Sequence, residues 1–157
     1  AYFSTDGIDP DTVLYSETFI DFDIQTSQRY FYKLIAVDTG NKESDPSDVI
    51  DDIALAPTTL TYPINEPTSS VNPTFEWDKL EDALYYYLSV RSGSSSGEIA
   101  NIRVEQPASG NIEFSYPTSE EALIASNKYY WSVTTYSIED GQTNSSSETK
   151  WFLTPSK

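Results

Sequence analysis

Residues 128–136 read KYYWSVTTY, and this stretch decides how the rest of the chain is interpreted. Aromatic and apolar residues occupy every second position, so the sequence predicts a β-strand with one buried face. Leu123 stands six positions before Tyr129. That spacing is typical of a tyrosine corner, in which a tyrosine hydroxyl ties a turn to the strand that follows. The stretch therefore favours a β-sandwich.

Residues 24–38, IQTSQRYFYKLIAVD, repeat the pattern nearer the N-terminus. Ile24 stands six positions before Tyr30, and Tyr32 and Leu34 continue the alternation. Two copies in one chain predict two β-sandwich modules. The boundary is expected in the Asp- and Pro-rich stretch 45–57, so residues 1–52 form the first module and residues 53–157 the second.

The second module is predicted to contain a full set of strands, whereas the first is not. The seven short strands of the second module fit a Greek-key sandwich: LTYPI (60–64), PTFEW (73–77), YYYLSVR (85–91), IANIRVE (99–105), NIEFSY (111–116), KYYWSVTTY (128–136) and KWFLT (150–154). The first module offers strands only at residues 1–5, 12–19, 29–37 and 47–50. Half a sandwich leaves its inner face in water. Either upstream strands are missing from this chain or another chain supplies them.

These stretches resemble the fibronectin type III family in the form found in secreted bacterial proteins. The first module is similar to the latter half of such a domain, through Asp21, Ile24, Tyr30, Tyr32, Ala36, Val37, Asp38, Gly40, Asn41, Ser44 and Ser47. The second is similar to a whole domain, through Trp77, Ala83, Tyr86, Leu123, Tyr129, Trp131 and Gly141. The resemblance implies an all-β, immunoglobulin-like Greek-key sandwich in two modules, the first incomplete. It also implies spacers, adhesins and modules appended to polysaccharide-degrading enzymes.

The composition narrows the possible functions. The 157 residues carry a net charge of −16, with 12 acidic and 3 basic residues in the first 52 positions. An acidic surface repels phosphate backbones and anionic lipids, so neither nucleic acid nor membrane insertion is expected. The chain contains no Cys and no His, which excludes thiolate nucleophiles, zinc sites and a histidine general base. An enzyme is therefore not expected.

Outward-facing tyrosines are the first candidate surface. Alternation directs Tyr85 and Tyr87 outward on one predicted strand, and Tyr130 and Tyr136 outward on its neighbour. Together they would form an aromatic platform of the kind that sugar rings stack on. Alternatively, cross-strand tyrosine pairs simply stabilise a solvated sheet face.

The first module has its own outward apolar residues, Phe31, Ile35 and Val37. Apolar side chains on a solvated face indicate contact with another module or chain. Ordinary β-propensity explains them equally well.

Two acidic clusters are candidate Ca²⁺ sites, because carboxylate oxygens are the ligands that Ca²⁺ prefers. One comprises Asp6, Asp9 and Asp11; the other, at the module junction, comprises Asp45, Asp48, Asp51 and Asp52. Neither has the spacing of an EF-hand, so a solvated acidic loop is the alternative, and no other cofactor is expected.

The sequence therefore predicts a non-catalytic structural or adhesive spacer at an extracellular or cell-surface location. Its expected partners are other domains of the same polypeptide or neighbouring subunits, with polysaccharide as a further candidate. Two alternatives remain open. One is a carbohydrate-binding accessory module of a larger polysaccharide-degrading enzyme, and the other is a filament subunit completed by strand exchange.

Overall fold

The computed structural model describes residues 20–156, which contain eleven strands and no helix. The strands are β1 (Arg29–Tyr32), β2 (Ile50–Ile53), β3 (Leu60–Tyr62), β4 (Glu66–Pro67), β5 (Thr74–Trp77), β6 (Tyr85–Arg91), β7 (Glu98–Glu105), β8 (Ile112–Ser115), β9 (Lys128–Tyr136), β10 (Ser145–Ser146) and β11 (Lys150–Leu153). The all-β prediction is confirmed. The strands predicted at residues 1–5 and 12–19, and the cluster of Asp6, Asp9 and Asp11, lie outside the described residues.

Residues 53–156, the described part of the predicted second module, form two sheets packed as a sandwich. The larger sheet has the order β4-β11-β9-β6-β7, with β10 also pairing with β9, and the smaller has the order β3-β5-β8. The long strands β6 and β9 span the predicted residues 85–91 and 128–136 because their strict alternation gives each one buried face. They pair antiparallel, with Leu88 opposite Val133, and both side chains are fully buried.

Aromatic rings from the two sheets meet in the core. Trp131 of β9 lies 4.9 Å from Phe75 and 6.4 Å from Trp77, both on β5, measured between ring centroids. Trp77 in turn meets Tyr86 edge-on at 5.7 Å. The indole N–H of Trp131 donates a hydrogen bond of 2.9 Å to the carbonyl of Pro63, so its one polar atom is satisfied inside the core.

The first module, as far as it is described, is a two-stranded sheet. β1 and β2 pair antiparallel, with Arg29 opposite Ile53 and Tyr32 opposite Ile50. The strand predicted at 29–37 ends at Tyr32, and the one predicted at 47–50 lies at Ile50–Ile53, so both boundaries were wrong. Within residues 20–156, β2 is the one strand paired with β1, and residues 33–36 have no second strand to hold them extended.

The predicted border, between residues 52 and 53, falls inside a strand rather than in a loop. β2 continues to Ile53, which was assigned to the second module. The side chains of Ile53 and Leu55 are buried and belong to the core of the second module. The chain therefore passes from β2 into that core without an intervening exposed linker.

Candidate interaction surfaces

Three of the four candidate tyrosines form a cluster on the outer face of β6 and β9, the tyrosine cluster. Tyr85 and Tyr136 stack with centroids 4.8 Å apart and planes 8° from parallel. Tyr87 meets both edge-on, at 5.9 Å from Tyr85 and 5.6 Å from Tyr136. The alternation of β6 and its pairing with β9 bring these three rings together.

The tyrosine cluster is covered by a cation of the same chain. The guanidinium carbon of Arg103, on β7, lies 3.9 Å from the centroid of the Tyr85 ring. With Tyr136 stacked on it and Arg103 over it, Tyr85 is only 3% exposed. Tyr85 therefore does not offer an open ring to solvent, and the expectation that it would do so is corrected. The reason is that alternation determines the side of the sheet on which a side chain lies, but not which other residues cover that side chain.

Acidic side chains hold Arg103 in place. Glu139 accepts two hydrogen bonds from its terminal nitrogens, at 2.5 and 2.8 Å, and Glu105 accepts one from Nε at 2.6 Å. The hydrogen bonds that Arg103 donates lower the pKa of Glu139, and donating to the carboxylates of Glu139 and Glu105 raises the pKa of Arg103. Burial raises the pKa of Tyr85, an effect that the positive charge of Arg103 opposes. Charged side chains thus stabilise the tyrosine cluster, and the ring of Tyr85 is already in contact with Arg103.

Tyr130 does not join the other three tyrosines. It stands six residues from Tyr136 on β9, a separation of roughly 20 Å along an extended strand. Its cross-strand partners are Trp151 of β11 and Arg91 of β6. The Lys128 ammonium lies over both rings, 4.2 Å from the Trp151 centroid and 5.5 Å from that of Tyr130. The predicted platform is therefore two separate patches, each with a cation over a ring.

The junction aspartates are held by separate partners. Asp51 accepts a hydrogen bond of 2.6 Å from Arg29. Asp52 Oδ1 accepts from the Ser137 hydroxyl at 2.5 Å and from Asn144 Nδ2 at 2.8 Å. Within residues 20–156, no three acidic, histidine or cysteine side chains gather as a metal site, Asp45 and Asp48 included.

Ser137 and Asn144 are residues that the sequence reasoning missed. Both lie beyond β9, in or next to the loop that leads to β10, and they are joined by a hydrogen bond from the Ser137 N–H to Asn144 Oδ1 at 2.7 Å. Asn144 Nδ2 also donates to the carbonyl of Ile53 at 2.8 Å. A loop of the second module is thus hydrogen-bonded to the end of β2, and we call these contacts the Asp52 clamp. Only the polar, turn-forming composition of this loop, SIEDGQTN (137–144), hinted at such a role.

The first module carries an apolar depression of about 780 Å³, which we call the open face. Its apolar lining residues are Ile20, Ile24, Tyr32, Leu34 and Ile50. Leu34 is 68% exposed. On the other side of the same segment, Phe31 is 67% and Ile35 41% exposed, so both sides of this segment present apolar surface.

Scans against protein-family models and against curated protein sequences returned no match. Residues 20–156 hold no helix that could span a membrane.

Proposed function

We propose that this chain is a non-catalytic structural or adhesive spacer of an extracellular or cell-surface protein. It would be built from two fibronectin type III-like modules with Greek-key topology, residues 1–52 forming the latter part of one and residues 53–157 a complete one. The strand order supports this proposal, because β3, β5 and β8 form one sheet while β6, β7, β9 and β11 lie in the other. This distribution of the strands between two sheets is a feature of immunoglobulin-like sandwiches.

The Asp52 clamp is the observation that carries the proposal. A spacer has to transmit a fixed distance and direction, which a flexible linker between modules would destroy. Here the residue that ends the first module, Asp52, is hydrogen-bonded to Ser137 and Asn144 of the second. The next apolar residues, Ile53 and Leu55, are buried in the second core. Bending at this junction would break charge-assisted hydrogen bonds and expose apolar surface together.

The carbohydrate-binding alternative has less support from the geometry. A sugar ring needs an aromatic face free to stack on. Arg103 and Tyr136 cover the two faces of Tyr85, and Tyr130 lies apart from them. A ligand would first have to displace a guanidinium that is bound to Glu139 and Glu105.

Spin-label distances test the proposal directly, because the chain has no cysteine of its own. Labels would be placed on Lys42→Cys and Asp82→Cys, two exposed positions in different modules. A stiff junction gives a narrow distance distribution, and Asp52→Ala should broaden it. Asp51→Ala is the matched control, since Asp51 binds Arg29 within the first module, and it should leave the width unchanged. A broad distribution in the unmutated background would overturn the rigid spacer.

A further inference from the structure

The chain enters and leaves the second module at opposite ends of its long strand β9. On the entry side, Asn144, which follows β9, donates a hydrogen bond to the carbonyl of Ile53. On the exit side, Leu153 of β11 lies opposite Lys128, the first residue of β9. A pull on the two ends of this module is therefore directed along β9, because that strand separates the two points of attachment.

Strands close to the two ends of the module pair with each other in parallel. β4 lies near the start of the module and β11 at its end, with Glu66 opposite Phe152 and Pro67 opposite Leu153. Among residues 20–156, every other pair of strands is antiparallel. We call β4 and β11 the terminal pair.

The parallel direction determines how tension acts on the terminal pair. Force from the entry side pulls β4 toward its N-terminal end, while force from the exit side pulls β11 toward its C-terminal end. Two parallel strands pulled in these directions slide past each other. The hydrogen bonds between them lie across the force, so they are loaded together and must break together. Strands pulled apart from one end would instead lose these bonds one at a time.

Hydrogen bonds of the terminal pair extend beyond the two residues of β4. The N–H of Asn65 donates to the carbonyl of Trp151 at 2.8 Å, and the N–H of Thr68 donates to the carbonyl of Leu153 at 2.8 Å. The N–H of Trp151 donates in turn to Asn65 Oδ1 at 3.2 Å. Asn65 has a φ of 53°, in the left-handed region that asparagine adopts more readily than most residues. Residues 65–68 are therefore tied to β11 along their whole length.

Both strands of the terminal pair are also held to the rest of the module. The buried indole N–H of Trp131 donates to the carbonyl of Pro63, shortly before β4. Directly after β11, the hydroxyl oxygen of Thr154 accepts the Asn127 N–H at 3.0 Å, and the hydroxyl donates to the carbonyl of Ile124 at 2.6 Å. Sliding of either strand therefore breaks contacts to the core or to the tyrosine-corner loop as well.

We propose that the second module resists mechanical tension applied between its two ends, and that the terminal pair is the contact that provides this resistance. Under tension the terminal pair breaks first, and its bonds break in one step. The height of the unfolding barrier, rather than the free energy of unfolding, governs forced unfolding. The inference rests on the proposed spacer function and names the load that such a spacer transmits, which is tension along the polypeptide.

Force measurements on the full chain test this through the direction of pulling, because the chain has no cysteine of its own. Handles on Ala56→Cys and Ser156→Cys, both at exposed positions, load the terminal pair by sliding. Handles on Ser69→Cys and Ser156→Cys, just beyond the C-terminal ends of β4 and β11, open the same pair from one end. The first arrangement should unfold at the higher force. Equal forces in the two arrangements would overturn the proposal.

A substitution within the terminal pair gives a second measurement. Asn65→Gly keeps the positive φ, which glycine adopts readily, and removes the oxygen that accepts from Trp151. At constant force in the first arrangement, this variant should unfold about fivefold faster, which corresponds to the net contribution of one hydrogen bond. Unfolding that is no faster, or that is accelerated equally in both pulling directions, would contradict the role of the terminal pair.

Asp140→Gly is the matched control for this variant. Asp140 also has a φ of 53°, but it lies in the loop after β9, away from the terminal pair. The substitution adds the same backbone freedom without removing a bond between β4 and β11. It should therefore change the rate of forced unfolding by less than about twofold. A change as large as that of Asn65→Gly would assign the effect to glycine itself and overturn the proposal.

The two proposals fail separately. A narrow spin-label distribution with an unfolding force that is independent of pulling direction would leave the rigid spacer and remove its resistance to tension. A broad distribution with a direction-dependent unfolding force would remove the rigid junction and leave the resistance of the second module.

Discussion

The hydroxyl of Tyr129 accepts a hydrogen bond of 2.8 Å from the backbone N–H of Ile124, five residues earlier. The same bond, at 2.7 Å, joins Tyr30 to the N–H of Gln25. Between each pair stands a serine in the left-handed conformation, with φ of 57° at Ser126 and 62° at Ser27. The repeat read from the sequence is therefore a repeat of hydrogen bonds and backbone conformation, and both copies are tyrosine corners.

Removal of the Tyr129 hydroxyl tests what this corner contributes. Tyr129→Phe should lower the free energy of unfolding by about 1–2 kcal/mol, because the Ile124 N–H loses its partner beside a buried ring. Tyr130→Phe is the neighbouring control on the outer face and should cost less than about 0.5 kcal/mol. Urea denaturation of both variants measures the difference, and equal losses would contradict a stabilising role for the corner.

Trp131→Ala should be far more damaging than the same change at Tyr32, its equivalent in the first module. Trp131 is fully buried against Phe75 and Trp77, so truncation leaves a large cavity and should cost about 3–5 kcal/mol. Tyr32 is only partly buried, beside the open face, and Tyr32→Ala should cost about 1 kcal/mol. Denaturant melts of the two variants give the comparison. A loss below about 1 kcal/mol at Trp131 would mean that this strand does not face the core.

The sequence was sufficient to predict the strands in which apolar residues occupy every second position. β6 and β9 have the predicted bounds because their apolar side chains alternate without a break, as in Tyr86, Leu88 and Val90. β1 shows the limit of this reasoning. Residues 29–37 alternate in the same way, but among residues 20–156 β1 pairs only with the four-residue strand β2, and β1 ends at Tyr32.

The candidate surfaces were harder to predict because they depend on residues distant in sequence. Nothing near Tyr85 indicated that Arg103, on the next strand, would lie over its ring. Likewise, Asp52 appears in the sequence as one of several junction acids, whereas its partners Ser137 and Asn144 follow more than eighty residues later. The separation of Tyr130 from Tyr136 follows from the rise per residue of a strand, so it could have been predicted from the sequence.

Calcium should leave the melting curve of the protein unchanged. Asp51 and Asp52, two of the four junction candidates, are hydrogen-bonded to Arg29 and to the Ser137–Asn144 pair, so a Ca²⁺ ion would have to compete with these bonds. Thermal melts with EDTA and with millimolar Ca²⁺ measure this directly. A ligand that binds the folded state raises the melting temperature. A rise that disappears in Asp45→Asn/Asp48→Asn would therefore establish a Ca²⁺ site at the junction.

Alkaline pH should destabilise the second module through Tyr116. Its hydroxyl donates a hydrogen bond of 2.8 Å to the carbonyl of Glu121, and its side chain is buried. Burial, with a smaller effect from the negative charges of Glu120 and Glu121, raises the pKa of Tyr116 to about 12, from an ordinary value of 10.0. Because the folded pKa lies above the unfolded one, the stabilisation is fully present below pH 10 and is lost as the pH rises toward 12.

The free energy of unfolding should therefore fall between pH 10 and about 12, as measured by urea denaturation at a series of pH values. Tyr116→Phe should be less stable near neutral pH by about 1 kcal/mol, because the hydrogen bond to Glu121 is lost. Phenylalanine does not ionise, so this variant should decline less steeply above pH 10. Some decline should persist, since burial also raises the pKa of Tyr86, which lies in the core. An equally steep decline in Tyr116→Phe would show that Tyr116 does not control alkaline stability.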